Sequence, residues 1–245
     1  MPKRGSGGGR RVTSRTTLLG VSMEAATRRR LQFLAAFAAY FVALWFLWNT
    51  PVVYPLKVFV VMLHEISHAI MAVATGGSIQ RIELTWDQGG ACLCPGGNAF
   101  LTLSAGYLGS LGWGILLLLL AGGPVRRYKL VLLGLGALLA AFTVLYVRTW
   151  FGILFGTLAA VALIGAARGL TPAVNRIVLT ALGMTSCLYA ILDIKSDILD
   201  RPGLRSDAHM LYELTGVPTL VWGGFWILLA LVASGLLFRR LYAKA

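Results

Sequence analysis

Two histidines and a glutamate lie close together in an otherwise apolar stretch, in the order His64-Glu65-Ile66-Ser67-His68. On an α-helix, residues four apart share a face, so His64 and His68 can direct ring nitrogens at one metal ion. Glu65 can then reach a water molecule bound to that ion and accept its proton. The spacing therefore predicts a zinc site that makes a nucleophile from water at neutral pH.

The rarity of such residues in this chain supports a functional origin for the cluster. The chain has only three histidines, and Glu65 is the only acid between Glu24 and Glu83. An ionisable side chain inside a membrane span is costly unless it is paired or functional, so three polar groups on one turn need a common cause. The alternative is a hydrogen-bonded polar cluster that holds no metal.

A tetrahedral zinc ion with two histidine ligands needs a third protein ligand and leaves its fourth position to water. Asp193 is the first candidate, because Asp193 and His68 each lie 16 residues after the start of an apolar segment, at Ile177 and Val52. If the two segments cross the membrane in the same direction, both residues lie about 24 Å from the same membrane face. Asp197, one turn further, is the second candidate.

The acids that follow Asp193 have another interpretation, as a solvated helix end balanced by bases or as outer support for the ligands. These acids are Asp197, Asp200 and Asp207, and the bases are Lys195, Arg201 and Arg205. His209 is interpreted as a surface histidine.

The elements that must hold these residues are membrane helices. Of the 245 residues, 58% are hydrophobic and 13% are charged, whereas soluble domains have about 25% charged residues. A helix of about 20 apolar residues can cross the hydrocarbon layer. The apolar segments are 31–56, 52–75, 99–121, 130–147, 149–167, 177–192 and 214–238. We expect an all-α polytopic protein with six or seven transmembrane helices in a lipid bilayer.

Residues 78–97 break the apolar pattern. Residues 81–87 alternate between polar and apolar side chains, and Gly89-Gly90 and Pro95-Gly96-Gly97 supply turns. The pattern predicts a small β-hairpin, lying against or within the membrane, after the helix that carries the two histidines. An irregular surface loop is the alternative.

The cysteines are Cys92, Cys94 and Cys187, and they indicate no disulfide framework. Cys92 and Cys94 are closer in sequence than a zinc-binding pair usually is, so they are interpreted as small apolar residues.

The charges are distributed unevenly. The chain has 22 basic and 9 acidic residues, and residues 1–30 contain eight of the bases and one acid. This segment is rich in Gly, Arg, Ser and Thr and is predicted to be a disordered tail before a helical membrane domain over 31–245. A basic tail without a basic domain gives no reason to expect a nucleic-acid partner.

Basic residues in the loops give an orientation, because they concentrate on the cytoplasmic side. They follow the third, fifth and seventh apolar segments, which predicts that these loops and the N-terminal tail are cytoplasmic. Seven complete spans cannot place both termini on one side, so the number of complete spans stays open.

Ser110 ends the sequence Gly106-Tyr107-Leu108-Gly109-Ser110 in the third apolar segment. Small residues four apart let helices approach closely, so this sequence is typical of packing against the histidine helix. The functional alternative is that Ser110 donates a hydrogen bond to a substrate carbonyl or to the tetrahedral intermediate.

Together these residues resemble the site-2 protease family of intramembrane zinc metallopeptidases, and more closely a short bacterial relative of its B-like branch. The resemblance covers about residues 55–230. It rests on the His-Glu motif at residues 64–68, which is followed by Thr75-Gly76-Gly77, and on the glycine-containing hairpin. It also rests on residues 104–110, on residues 193–197, and on Ser206-Asp207-Ala208 followed by Thr215-Gly216. Better-known members place the third ligand in an Asp-Gly sequence, whereas Ile194 follows Asp193 here.

The resemblance implies that His64 and His68 bind one zinc ion per chain, that Glu65 is catalytic and that an aspartate from a later span completes the site. It also implies a metalloendopeptidase of the bacterial cell membrane that hydrolyses a peptide bond within or near a transmembrane segment of another protein. The alternative is a zinc-binding scaffold or a transporter without proteolytic activity. Neither of these needs a base such as Glu65 beside its ligands.

Overall fold

The computed structural model describes residues 10–48, 50–200 and 205–244, and most of them are helical. The helices are α1 (Arg10–Leu47), α2 (Tyr54–Ala74), α3 (Ala99–Ala121), α4 (Arg126–Tyr146), α5 (Trp150–Gly169), α6 (Pro172–Lys195), α7 (Asp207–Thr215) and α8 (Thr219–Lys244). A π-helical turn, Ser196–Asp200, follows α6. The chain forms two compact units, one of α1 with the last turns of α8 and one of residues 50–237.

Seven helices within the described ranges are long and apolar enough to cross a membrane. They are Thr27–Leu47, Tyr54–Ala74, Ala99–Ala121, Arg126–Tyr146, Trp150–Gly169, Pro172–Leu199 and Thr219–Ala243. With a two-stranded antiparallel sheet beside them, they confirm the predicted fold class of an all-α polytopic protein with a small hairpin. The chain is therefore an integral membrane protein.

Capping residues mark the starts of α3 and α6. α3 has the same bounds as its apolar segment, and the Asn98 side chain caps its start by accepting a hydrogen bond from the backbone N–H of Leu101 at 3.0 Å. α6 begins five residues before its apolar run, at Pro172, with Thr171 as its N-cap. The last apolar run, from 214, divides between the short α7 and α8.

α1 begins at Arg10, inside the segment 1–30 for which the sequence predicts a disordered tail. Residues 1–9 lie outside the described residues. Residues 10–30 contain no proline and only one glycine, so no residue there stops the first helix from continuing upstream. Within this unit, the Phe37 and Phe238 rings pack edge to face with their centroids 4.9 Å apart.

α3 is the helix around which the second unit packs. It contacts both α2 and α6, and α4 packs against α5. A Cβ atom at Gly109 would overlap the Ser67 side chain on α2, and one at Gly114 would lie 2.8 Å from the Gly183 carbonyl oxygen on α6. The glycines of α3 therefore allow both neighbouring helices to approach closely.

The predicted β-hairpin is present and runs back along α2. Strand β1 (Arg81–Leu84) pairs antiparallel with β2 (Gly90–Leu93), with Ile82 opposite Cys92. At the base of the hairpin, the Asn98 N–H donates to Thr75 Oγ1 at 2.9 Å, beside the end of α2. At its turn, the Tyr54 hydroxyl at the start of α2 donates to the Trp86 carbonyl at 2.8 Å. The two ends of α2 thus hold the two ends of the hairpin.

The side chains of Cys92 and Cys94 lie against each other in the structure, with their Cα atoms 5.5 Å apart. Cys92 is on β2, and Cys94 follows the last residue of that strand. Cys187 is a buried free cysteine on α6.

Candidate metal centre

α2 is the innermost helix of the unit formed by residues 50–237, and this places its histidines inside the protein. Every residue from Lys57 to Ala69 is buried, including the polar side chains of His64, Glu65 and His68. Pro55 lies in the first turn, where its missing N–H is not needed. Gly76 ends the helix with a φ of +90°, a conformation that other residues rarely adopt. His64, Glu65 and His68 therefore lie in the middle of a buried span.

His64 and His68 converge with Asp207 of α7. One carboxylate oxygen of Asp207, Oδ2, lies 3.0 Å from Nε2 of His64 and 3.2 Å from Nε2 of His68. One ligand atom from each of the three residues lies within 4.8 Å of the other two. Two imidazole nitrogens and one carboxylate oxygen form a donor set that suits a divalent zinc ion.

α7 carries Asp207 into the site because its apolar face is anchored in the core. Its buried residues Ala208 and Leu211 pack in a cluster with Tyr107, Ile194 and Trp226. The Ser206 side chain caps the helix by accepting from the His209 N–H at 3.4 Å. Asp207 is thus a first-turn residue, where a negative charge is favourable.

The histidines also determine the charge of Asp207, which is 8% exposed. Burial alone raises the pKa of this carboxyl, but the charge of His68 and the hydrogen bonds from both histidines act in the opposite direction and prevail. The pKa of Asp207 is therefore held well below its usual range, and the group is a carboxylate at neutral pH.

His68 makes a hydrogen bond through Nδ1, which leaves its other ring nitrogen, Nε2, available to bind a metal. Its Nδ1–H donates to the backbone carbonyl of Thr102 at 2.6 Å, so the lone pair of a neutral ring lies on Nε2. Without a metal, a protonated His68 donates from Nε2 to the Asp207 carboxylate oxygen at 3.2 Å. In the neutral ring the same nitrogen presents its lone pair to that oxygen, and a metal ion can take the place of the proton between them. The residues present therefore fit a metal ion.

Glu65 lies against the hairpin. Its carboxylate accepts a hydrogen bond from the backbone of Cys92 on β2. A Cβ atom at Gly90 would overlap the same carboxylate, so a larger residue there would require the Glu65 side chain to move. The hairpin thus fixes the position of the one acid that lies between the two histidines in sequence.

These residues surround a cavity of about 750 Å³ between α2, β2, α3, α6 and α7. Its polar and charged lining comprises His64, Glu65, His68, Gln88, Thr102, Tyr189, Asp193, Asp197, Arg205, Ser206 and Asp207, and both cysteines of the hairpin also line it. The cavity is large enough to admit a segment of polypeptide beside Glu65 and the histidines.

Asp193 and Asp197 line the cavity, but neither carboxylate lies between Nε2 of His64 and Nε2 of His68. Oδ2 of Asp193 lies 4.0 Å from His64 Nδ1, the ring nitrogen other than the one that faces Asp207. Asp197 accepts a hydrogen bond from the Tyr107 hydroxyl at 2.5 Å. Asp207, interpreted from the sequence as part of a solvated helix end or as outer support, is instead the carboxylate that touches both histidines.

A local signal for Asp207 was present in the sequence. Ser206 is a good N-cap, Ala208 and Leu211 are apolar with a spacing of three, and Gly216 ends the segment with a φ of +72°. These features indicate a short amphipathic helix. The helix is shorter than a membrane span, so the apolar runs of spanning length do not indicate it.

Ser110 is buried away from the cavity. Its hydroxyl donates to the Gly106 carbonyl at 3.1 Å, one turn earlier in α3. Its own carbonyl accepts a hydrogen bond from the Ser186 hydroxyl of α6 at 2.7 Å. Ser110 is absent from the described cavity lining, and its observed contacts are those of helix packing.

Comparison with known proteins agrees with this geometry. Residues 37–237 match the model of a family described as Peptidase M50B-like, and the match covers most of the chain and all of the residues around the cavity. No curated protein and no solved structure matches the chain.

Proposed function

Since the chain belongs to the Peptidase M50B-like family, the site-2 protease branch that its sequence resembles, we propose that it is an intramembrane zinc metalloendopeptidase. The observation that carries the proposal is the convergence of His64 Nε2, His68 Nε2 and Asp207 Oδ2 beside Glu65. The proposed ligands of one zinc ion per chain are therefore His64, His68 and Asp207. A bound zinc ion would polarise the peptide carbonyl and lower the pKa of water.

Glu65 is the proposed general base and acid. Its carboxylate accepts a proton from the attacking water and later donates that proton to the departing amine. The hydrogen bond from the Cys92 backbone and the close approach of Gly90 hold this carboxylate in one position. A scaffold or a transporter would need the ligands but no acid held in this way, so the position of Glu65 favours an enzyme.

The proposed substrate is a transmembrane segment of another membrane protein. His64 and His68 lie near the middle of α2, which is itself a candidate membrane span. The backbone groups of a helix are hydrogen-bonded to one another and are closed to attack, so the substrate must unwind locally to enter the cavity. The β2 backbone, which lines the cavity, provides polar groups for such an extended segment.

The proposed location is the bacterial cell membrane, with the N-terminal tail in the cytoplasm. The cytoplasmic tail is supported by the eight bases within residues 1–30. The bases at the start of α4 (Arg126, Arg127) and near the end of α8 (Arg239, Arg240) lie on the same side as the tail only if one of the first three candidate spans does not cross completely. Labelling of single cysteines introduced at residues 6 and 125, in a variant without the native cysteines, tests both points in intact cells. Reaction of the residue-6 variant with a membrane-impermeant reagent would contradict a cytoplasmic tail, and opposite labelling of the two positions would show that all three spans between them are complete.

The function is tested with Glu65→Gln. Co-expressed single-span reporters that contain helix-destabilising residues should be cleaved by the wild-type protein and not by the variant. Purified Glu65→Gln should still contain about one zinc ion per chain, because Glu65 is not a proposed ligand. Glu83→Gln is the matched control, since Glu83 forms an exposed ion pair with Arg81. Reporter processing by Glu65→Gln at the wild-type rate would reject the peptidase function.

A further inference from the structure

The Nδ1 atoms of His64 and His68, which point away from Asp207, have different surroundings. Nδ1 of His68 donates to the Thr102 carbonyl at 2.6 Å. Nδ1 of His64 is buried and has no hydrogen-bond partner among the described residues. A histidine that binds a metal through Nε2 carries its proton on Nδ1, and this N–H then needs an acceptor. His64 therefore requires a partner on its outer side.

Asp193 is the carboxylate in position to be that partner. Its Oδ2 lies 4.0 Å from Nδ1 of His64, and its side chain lines the same cavity with 18% of its surface exposed. The next residue, Ile194, is buried in the cluster with Tyr107 and Trp226, which fixes this turn of α6. A movement of the carboxylate by about 1 Å would bring the two atoms to hydrogen-bond distance.

We infer that Asp193 is a positioning residue, whose carboxylate accepts the Nδ1–H of His64 and orients the ring toward the metal. The inference rests on the proposed function, because it assumes that His64, His68 and Asp207 are the ligands. A carboxylate behind a metal-binding histidine fixes the tautomer and raises the basicity of the ligand nitrogen. Asp193 and the Thr102 carbonyl thus serve the two histidines in the same way.

The geometry distinguishes this role from ligation. A third ligand must lie near both Nε2 of His64 and Nε2 of His68, and Asp207 occupies that position. Asp193 instead approaches the other nitrogen of the His64 ring. Asp197, one turn away on the same cavity wall, bonds to Tyr107 and provides a natural control.

The experiment measures metal affinity and cobalt absorption spectra of the full-length protein in detergent. Zn²⁺ and Co²⁺ are titrated in competition with a chelator. Asp193→Asn should still bind about one metal ion per chain with an unchanged cobalt spectrum, but its affinity should fall by about 10- to 100-fold. Asp193→Glu should restore most of the affinity, and Asp197→Asn should remain close to wild type. Asp207→Asn should lose the metal or change the cobalt spectrum.

Each other outcome has a definite meaning. If Asp193→Asn changes the cobalt spectrum as Asp207→Asn does, Asp193 is a ligand and the inference is wrong. Equal losses for Asp193→Asn and Asp197→Asn would also overturn it, because they would indicate a general effect of charge. If wild-type protein binds no stoichiometric metal, the proposed function fails and the inference fails with it. If Asp193→Asn does not elute as wild type, Asp193→Ser replaces it with the same expected result.

Discussion

Gly106 of α3 lies directly against the ring of His64, so that a Cβ atom at position 106 would overlap His64 Nε2. The same Cβ atom would overlap Nε2 of His68. These are the two nitrogens that face Asp207, and the absence of a side chain at Gly106 therefore gives the proposed metal its space.

Gly106→Ala should consequently reduce zinc binding without removing any ligand. We expect a loss of affinity of at least about tenfold, comparable to the loss of an outer-shell partner, measured by chelator competition. Gly112→Ala is the matched control on the same helix, because a Cβ atom there would have no neighbour within 4 Å. Equal zinc affinities for the two variants would show that Gly106 does not shape the centre.

Asp207→Ala should abolish both zinc binding and reporter cleavage. Removal of a ligand is expected to weaken binding by more than about 100-fold, since the loss of an outer partner alone can reach that value. Glu213→Ala on the same short helix is the control, because Glu213 pairs with Arg205 at the surface. Zinc content measured by atomic absorption distinguishes the two, and a fully loaded Asp207→Ala protein would rule out this ligand set.

Gly90→Ala should separate proton transfer from metal binding. The added methyl group would displace the Glu65 carboxylate, whereas the three proposed ligands lie elsewhere. We expect cleavage to fall by about 100-fold or more, within the range for loss of a general base, with zinc still bound. Gly134→Ala on α4 is the control, since its Cβ atom would meet nothing. Loss of zinc from Gly90→Ala would contradict this division of roles.

Leu211→Ala should weaken the metal centre from a distance. Leu211 is fully buried in the cluster that anchors α7, and a cavity at such a position typically costs about 2–5 kcal/mol. Because α7 carries Asp207, both the midpoint of thermal unfolding and the zinc affinity should fall. Leu214→Ala, at an exposed position on the same helix, should change neither. A destabilised Leu211→Ala protein with wild-type zinc affinity would show that the anchoring of α7 does not matter.

The parts of the molecule that depend on neighbours in sequence could be predicted. The helix of His64 and His68, the spans and the hairpin all follow from local periodicity and turn residues, and the structure confirms the fold class they indicate. The depth comparison predicts Asp193 as the third ligand, and the structure has its Oδ2 4.0 Å from Nδ1 of His64. It could not indicate which ring nitrogen Asp193 would approach, since that depends on ring orientation.

The contact between Asp207 and the histidines could not be predicted from depth in the membrane. Asp207 lies on a nine-residue helix that is too short to span a bilayer, so counting apolar segments does not locate it. Its position depends on the packing of Leu211 against Tyr107 and Trp226, three residues from three different helices. Such a contact belongs to the tertiary structure alone.

His64 and Asp207 are 143 residues apart in the chain, and this separation bears on when the protein can become active. A ribosome must synthesise six spans and α7 before the proposed ligands can meet. Chains that end before α7 should therefore bind no zinc at this site and cleave no reporter. A nascent protease of this design remains inert toward its neighbours in the membrane until α7 has been synthesised and has packed against α2.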